Sequence, residues 1–228
     1  RRQRQMCIRD SRTQDELDGH ATQQGANVGD CLYKDISGPN GEPDGVIDAY
    51  DQTVLGSGLP KVNFGLSTHM EYKGFDLNIS TYGVLNYHVS DDIYNSLNSC
   101  YGYGNKEVGM LDANRWSEDG STYLSSVPRT YAANNATLGW NDLFSSRKIQ
   151  NAAYWKIANV ELGYNFPDKW FGGYVSGVRL YVSAQNLYTF TGYHGYNVDY
   201  AGGTFTPGYN FCSFPSARTF MCGLHFTF

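Results

Sequence analysis

Residues 219–228 read Thr-Phe-Met-Cys-Gly-Leu-His-Phe-Thr-Phe, with an apolar side chain at every second position. In a β-strand, alternate side chains point to opposite faces of the sheet, so one face of this segment is apolar. That face carries Phe220, Cys222, Leu224, Phe226 and Phe228. The pattern is typical of a strand that crosses a lipid bilayer as part of a barrel, although a strand of a soluble sandwich can alternate in the same way.

The same alternation recurs four more times along the chain. It predicts strands at residues 60–72, 75–87, 154–166 and 177–189, in addition to 217–228. Each predicted strand has an apolar face and a polar face, and the polar faces include Glu71, Asp76, Glu161, Arg179 and Gln185. Runs of about ten residues are long enough to cross a bilayer core when the strands are tilted.

The predicted connections between strands alternate between short and long. The turns after Tyr72 and after Phe166 are short, whereas the connections at residues 88–153 and 190–216 are long. Because outer-membrane barrels have short periplasmic turns and long external loops, this asymmetry orients the strands. It predicts an aromatic girdle at the periplasmic interface, formed by Tyr72, Phe75, Tyr164, Phe166 and Phe228.

The composition is consistent with a membrane barrel. The 228 residues include 19 Tyr, 12 Phe and 26 Gly, with 17% charged residues and a net charge of −5. No apolar run approaches the roughly eighteen residues of a membrane helix, which excludes a helical membrane protein, and the acidic balance argues against nucleic-acid binding. Five strands cannot close a barrel, because two open edges in lipid would leave backbone groups unpaired. The predicted fold is therefore all-β, the C-terminal strands of a larger antiparallel transmembrane barrel.

The chain divides into three predicted regions. Residues 1–12 resemble a translated sequencing adapter and are set aside from the fold, the alternative being a short basic tail. Residues 13–59 are predicted to form an external loop region with an acidic, glycine-rich turn. Residues 60–228 contain the barrel strands, with long external loops at 88–153 and 190–216.

Several separate blocks resemble SusC/RagA-type TonB-linked outer-membrane transporters, and they occur in the same order. Examples are Asn-Val-Glu-Leu-Gly-Tyr at 159–164 and Leu-Tyr-Val-Ser-Ala-Gln-Asn-Leu-Tyr-Thr-Phe-Thr-Gly-Tyr at 180–193. The other blocks lie at residues 29–35, 44–56, 60–66, 72–77, 114–116, 127–129 and 218–220. The resemblance covers the chain from about residue 15 to its last residue.

The resemblance implies a barrel of about 22 strands with a plug domain inside. It implies an importer of oligosaccharides or peptides in the outer membrane of a Gram-negative bacterium, closed by a SusD-like surface lipoprotein and driven by the TonB complex. The plug and the segment that TonB pulls are expected outside this chain. The barrel assembly machinery would recognise the aromatic C-terminal strand, and the expected assembly signal is Phe220, Leu224, Phe226 and Phe228. Outer-membrane lipid is the expected environment, and nucleic acid is not an expected partner.

The turn at residues 40–51 reads Asn-Gly-Glu-Pro-Asp-Gly-Val-Ile-Asp-Ala-Tyr-Asp. Its oxygen-bearing side chains and its central glycine are spaced as in EF-hand or dockerin-type calcium loops. The expected Ca²⁺ ligands are Asn40, Glu42, Asp44, Asp48 and Asp51. Departures from the EF-hand pattern are the leading Asn40, Pro43 in the middle and Asp51 in place of the final Glu. The alternative is an acidic external turn held by Asx and glycine geometry, with no cofactor required.

Aromatic residues are concentrated in the predicted external loops. Flat rings with polar rims suit sugar faces and peptide backbones, and binding residues concentrate in loops. The candidate contacts with substrate or with the lid protein are Tyr101, Tyr103, Trp116, Tyr123, Trp140, Tyr193 and Tyr196. The alternative is that these rings pack the loops against one another and against the lid protein.

The alternating pattern alone is also consistent with a second class of function. The chain would then be a secreted or surface-attached all-β binding or adhesion module, with its strands in a sandwich and a calcium-binding acidic turn. The terminal Phe228 favours the barrel, because a sandwich gains nothing from ending its last strand on an aromatic residue. No histidine spacing of a metal site, nucleophile elbow or paired-cysteine motif occurs, so the chain is not predicted to be an enzyme.

Overall fold

The computed structural model describes residues 3–5, 7–11, 13–100, 104–108, 116, 127–130, 139–171, 176–199, 203 and 205–227. The predicted all-β class is confirmed, since most of the regular structure is strand. In chain order, the strands and α-helices are β1 (Gln3–Gln5), β2 (Cys7–Asp10), α1 (Gln14–Asp18), β3 (Cys31–Tyr33), β4 (Gln52–Val54), β5 (Val62–Tyr72), β6 (Phe75–Leu85), β7 (His88–Asp91), α2 (Asp92–Leu97), β8 (Gln150–Asn151), β9 (Tyr154–Phe166), β10 (Gly177–Thr191), β11 (Tyr209–Asn210) and β12 (Thr219–Thr227). No helix in the described part of the chain is long and apolar enough to cross a membrane.

The chain forms two compact units, and the first comprises the described parts of residues 1–58, 89–150 and 202–212. Here β1 pairs with β4 and β2 pairs with β3, both antiparallel, while β11 pairs in parallel with β7. The core of this unit consists of Cys31, Tyr33 and Ile47, against which Trp140 and Leu143 pack. Burial raises the pKa of the Tyr33 hydroxyl well above its usual range. That hydroxyl donates a hydrogen bond to the carbonyl of Trp140 at 2.5 Å.

The N-terminal segment is paired rather than loose where it is described. Backbone pairs join Gln5 to Gln52 in one sheet and Cys7 to Tyr33 in another. Ser11 is buried, and its hydroxyl accepts a hydrogen bond from the backbone N–H of Gly29 at 3.0 Å. The adapter-like origin of residues 1–12 stays a prediction, but the fold gives these residues partners that neither interpretation of the sequence foresaw.

The second unit comprises the described parts of residues 59–88, 151–201 and 213–228, and its main element is a five-stranded antiparallel sheet. The strand order is β12-β10-β9-β6-β5. Among these five strands, those that follow one another in the chain are also neighbours in the sheet. All five predicted strands are confirmed, with bounds that differ from the predicted ones by no more than two residues. The sheet is open, with β5 and β12 at its edges.

The two faces of this sheet have opposite polarity, and the polar face contains the buried charged groups. Apolar side chains such as Leu162 and Leu224, which are 50% and 58% exposed, project from one face. On the other face, Asp76 and Lys156 are only 4% and 3% exposed. Water does not favour such a broad apolar face, so its exposure marks a surface that requires a non-aqueous partner.

A charged cluster binds three strands together on the polar face. The Arg179 guanidinium on β10 donates from Nε to Asp76 Oδ1 on β6 at 3.1 Å, and from Nη2 to Glu161 Oε1 on β9 at 2.6 Å. Asn165 Nδ2 donates to the same Asp76 oxygen at 3.1 Å. Gly163 makes room for the cluster, because a Cβ there would lie 2.5 Å from Asp76 Oδ1. Three of the five polar-face residues noted in the sequence thus form one network.

The alternation changes phase in β9 near the long loops. The β6–β9 register shifts between Ser80 and Thr81, and the β10–β9 register shifts between Gln185 and Tyr188. An extra residue in a strand exchanges its faces beyond that point. As a result Trp155 shares one side of the sheet with Tyr188 and Phe190, although Trp155 does not continue the spacing of Val160 and Leu162.

Aromatic rings gather at both ends of the apolar face. At the short-turn end, Phe75 packs on Tyr164 with ring centroids 4.6 Å apart, and Tyr164 packs on Phe166 at 4.9 Å, as predicted for the girdle. Phe228, the last predicted member, lies outside the described residues. At the loop end, Trp155 stacks on Phe190 at 5.3 Å. This second aromatic cluster was not predicted. With it, the apolar face has a cluster of aromatic side chains at each end.

Candidate functional site

A polar cavity of about 320 Å³ lies at the loop end of the second unit. Its walls are the last residues of β10, the segment 192–199 that follows β10, and the residues that lead into β12. The side chains that define its chemistry are Lys156, Tyr193, Tyr196, Asn197, Asp199 and Arg218. The cavity therefore brings together residues that are far apart in the sequence.

Side-chain amides shape this cavity. Asn186 Nδ2 donates to the carbonyl of Ala217 at 2.9 Å, and Asn197 Nδ2 donates to the carbonyl of Phe214 at 3.1 Å. Asn197 Oδ1 also accepts from the backbone N–H of Asp199 at 3.0 Å, which is an Asx turn. These contacts tie β10 and the segment that follows it to the segment before β12, so the cavity walls are held by specific bonds.

The charges in the cavity are unequal. Lys156 Nζ forms an ion pair with Asp199 Oδ2, and the Lys156 side chain is almost fully buried. Arg218 lines the same cavity and is exposed, and no carboxylate in the described part of the chain pairs with it. With Lys156 and Asp199 balanced, the arginine leaves the cavity with one excess positive charge.

The predicted aromatic contacts separate into three groups. Tyr193 and Tyr196 line the cavity, Tyr193 buried and Tyr196 64% exposed. Trp116 and Trp140 lie in the first unit and do not contribute to this cavity. Tyr101, Tyr103 and Tyr123 lie outside the described residues.

Trp140 and Trp116 have packing partners within the first unit. The Trp140 ring lies 5.8 Å from that of Tyr33, and its indole N–H donates to the carbonyl of Gln24 at 3.0 Å. The Trp116 ring covers Gly29 so closely that a Cβ there would lie 2.6 Å from it. Both rings fill structural positions, which favours the loop-packing interpretation for these two tryptophans.

The carboxylates of the acidic turn accept hydrogen bonds from backbone N–H groups. Asp51 is fully buried, and its carboxylate accepts hydrogen bonds from the backbone N–H groups of Ile36 at 2.7 Å, Ser37 at 3.2 Å and Asp48 at 2.8 Å. Burial alone would raise the pKa of Asp51, but these three donors outweigh it and hold the pKa below its usual value. Both oxygens of the carboxylate are therefore already occupied.

The other expected calcium ligands do not converge on one point. Asp48 Oδ1 accepts from the backbone N–H of Tyr50, and Asp44 Oδ1 accepts from that of Val46. Asn40 and Glu42 are exposed. In the described residues no group of three or more His, Cys, Asp or Glu side chains is placed to hold a metal ion. The hydrogen bonds match the Asx-turn alternative, and calcium binding by this turn stays a prediction.

The expected assembly signal lies on the outermost strand. Phe220, Leu224 and Phe226 are exposed on the apolar face of β12, and Phe228 lies outside the described residues. Their role in assembly stays a prediction.

Three charged residues of the cavity were not predicted to act together. Lys156 and Asp199 are 43 positions apart, and Arg218 appears in the sequence only as the residue before the last strand. The one available signal was the lysine within a predicted membrane strand, since such a charge requires a partner.

Known proteins resemble this chain along nearly all of its length. A TonB-dependent receptor, P3, from Formosa agariphila is 30% identical over 220 residues, which is 92% of this chain and 20% of that receptor. The TonB-dependent receptor SusC from Bacteroides thetaiotaomicron is 26% identical over 209 residues, 86% of this chain and 19% of SusC. The chain thus spans about a fifth of the length of these curated relatives. No protein-family model matches the chain.

The fold is found in solved transporters. The RagAB peptide importer in its open-open state matches 99% of this chain and 22% of the solved chain, with a TM-score of 0.72 and 19% identity. A second structure of the RagAB peptide transporter gives a TM-score of 0.71 at 20% identity. These likenesses show that the chain shares its fold with a segment of those proteins.

Proposed function

Since this chain is a segment of a SusC/RagA-type TonB-dependent receptor, we propose that the complete protein imports nutrients across the outer membrane of a Gram-negative bacterium. The observation that carries the proposal is the five-stranded sheet, which has a largely exposed apolar face and a polar face with buried charged groups such as Asp76 and Lys156. In a barrel wall, lipid covers the apolar face and the lumen lies against the polar face. The described strands, of 9 to 15 residues, are long enough for that position.

The proposed importer works with several partners. A SusD-like surface lipoprotein closes over the loop end, the TonB complex acts on a plug segment elsewhere in the protein, and the barrel assembly machinery inserts the strands. The proposed cargo is an oligosaccharide or a peptide. The loop-end cavity supports an external ligand contact, because it combines hydrogen-bonding groups with three tyrosines, Tyr188, Tyr193 and Tyr196. No catalytic step and no nucleic acid belong to this function.

The binding-module alternative has less support. A sandwich requires a second sheet to cover the apolar face. In the described residues, Leu66, Val182 and Leu224 on that face are more than half exposed. The sheet order also continues to two open edges, as expected for a piece cut from a larger barrel.

Uptake by the native bacterium tests the proposal. We expect deletion of the full-length gene to abolish accumulation of at least one nutrient from a panel of labelled oligosaccharides and peptides. The intact gene should restore it, whereas a copy without the TonB-contacting segment should not, because import against a gradient requires that energy. Unchanged accumulation of every compound in the panel after deletion would refute the importer.

A further inference from the structure

The cavity beside β10 exists because two neighbouring strands separate there. The described pairing of β10 with β12 ends at Gln185, whereas β10 itself continues to Thr191. Before β12, Asn186 of β10 bonds the carbonyl of Ala217, while Asn197 in the segment after β10 bonds the carbonyl of Phe214. The space between these segments is the 320 Å³ cavity.

The carboxylate of Asp199 is already engaged by the protein. Its Oδ2 atom pairs with Lys156, and the hydroxyls of Tyr82 and Tyr154 interact with the same carboxylate. Its Oδ1 atom is buried, so a ligand in the cavity does not reach it. The exposed Arg218 is therefore the charged group in the cavity that a ligand can contact.

The cavity also has a cation without an anion. Arg218 lines the cavity, and no described carboxylate pairs with it. An arginine fork matches the two oxygens of a carboxylate and binds them by two parallel hydrogen bonds. The exposed guanidinium therefore fits a ligand that carries a carboxylate.

We propose that this cavity is a subsite for a carboxylate of the imported ligand, and that Arg218 binds this carboxylate. The inference rests on the proposed import function and specifies the ligand chemistry. A peptide with a free C-terminus and an oligosaccharide with a uronic acid both carry such a group. Tyr193 and Tyr196 provide the flat rings that flank the ligand in either case.

Binding to the purified full-length receptor tests this subsite. The probes are a pentapeptide and its C-terminal amide, and trigalacturonate and its methyl ester, measured by calorimetry in detergent. We expect at least one free acid to bind roughly tenfold more tightly than its capped form, since the capped form loses the charge-assisted bond to arginine. The pair that shows the difference identifies the source of the carboxylate.

An Arg218→Gln variant assigns the effect to this residue. We expect it to remove the preference for the free acid and leave the affinity for the capped form unchanged. The matched control is Lys61→Gln, which removes an exposed cation just before β5 at the loop end of the same sheet. The control should keep the preference, because Lys61 does not line the cavity.

Three results would overturn the subsite: equal binding of acid and capped forms, binding of none of the four probes, or a preference that survives Arg218→Gln. Uptake by cells that carry the same variants separates this failure from failure of import. Normal accumulation of nutrients by the intact receptor would keep the import function and reject only the subsite. If the intact receptor makes no difference to the accumulation of any nutrient, both the import function and the subsite are rejected.

Discussion

Replacing Gly83 with alanine in the full-length receptor should destabilise the barrel by about 3 kcal/mol and sharply lower its amount in the outer membrane. Gly83 lies on β6, where a Cβ would be 2.3 Å from the carbonyl oxygen of Tyr154 on β9. It would also be 2.5 Å from the ring of Phe64 on β5. The backbone contact cannot be relieved by a side-chain rotation, so β6 and β9 must separate. Heat-modifiable mobility of the receptor in outer-membrane fractions measures the folded amount.

Gly65→Ala is the matched control for this change. Gly65 lies on β5, next to the strand that contains Gly83, and the nearest atom to an added Cβ is 3.7 Å away. That distance is an ordinary van der Waals contact, so the control should fold like the unmodified receptor. If the two variants fold to the same extent, the claim that β6 and β9 approach too closely at Gly83 to admit a Cβ is wrong.

Replacing Arg179 with glutamine should destabilise the receptor by about 2 kcal/mol. The change removes the cation from Asp76, a buried carboxylate, and from Glu161. Loss of one partner of a buried pair is expensive because the remaining charge stays desolvated. We expect a smaller loss of stability than for a fully buried pair, because the Arg179 side chain is 26% exposed to solvent. The midpoint of thermal unfolding in detergent measures the effect.

The double variant Arg179→Gln with Asp76→Asn should recover part of this stability, since it removes both charges together. Lys169→Gln, which changes an exposed cation near the short-turn end, should have no effect. A double variant that is as unstable as the sum of the two single changes would show that Arg179 and Asp76 do not interact.

The strands could be predicted from the sequence because a single local rule produces them. A strand with lipid on one side and a polar lumen on the other must alternate at every residue, and this pattern survives along β5, β6 and β12. The bulges could not be predicted in this way. The extra residue near Ala158 interrupts the alternation in β9, and only the pairing with β6 shows which faces Lys156 and Trp155 occupy.

The candidate sites were harder to predict for two different reasons. The cavity depends on tertiary structure, because Lys156, Asp199 and Arg218 meet only after β10 and β12 diverge. The acidic turn shows the opposite case, in which a local motif has two physical outcomes. Its aspartates have the spacing of calcium ligands, yet the same short side chains bond neighbouring backbone N–H groups, as Asp51 does with Ile36.

The most direct test of the membrane position is a lipid contact at adjacent residues of one strand. A photoreactive p-benzoylphenylalanine would replace Leu180, on the apolar face of β10, or Tyr181, on the polar face, in the full-length receptor. After irradiation of intact outer membranes, mass spectrometry would detect covalent lipid adducts. An outer-membrane barrel wall requires adducts at position 180 and none at position 181. Adducts at both positions, or at neither, would contradict it.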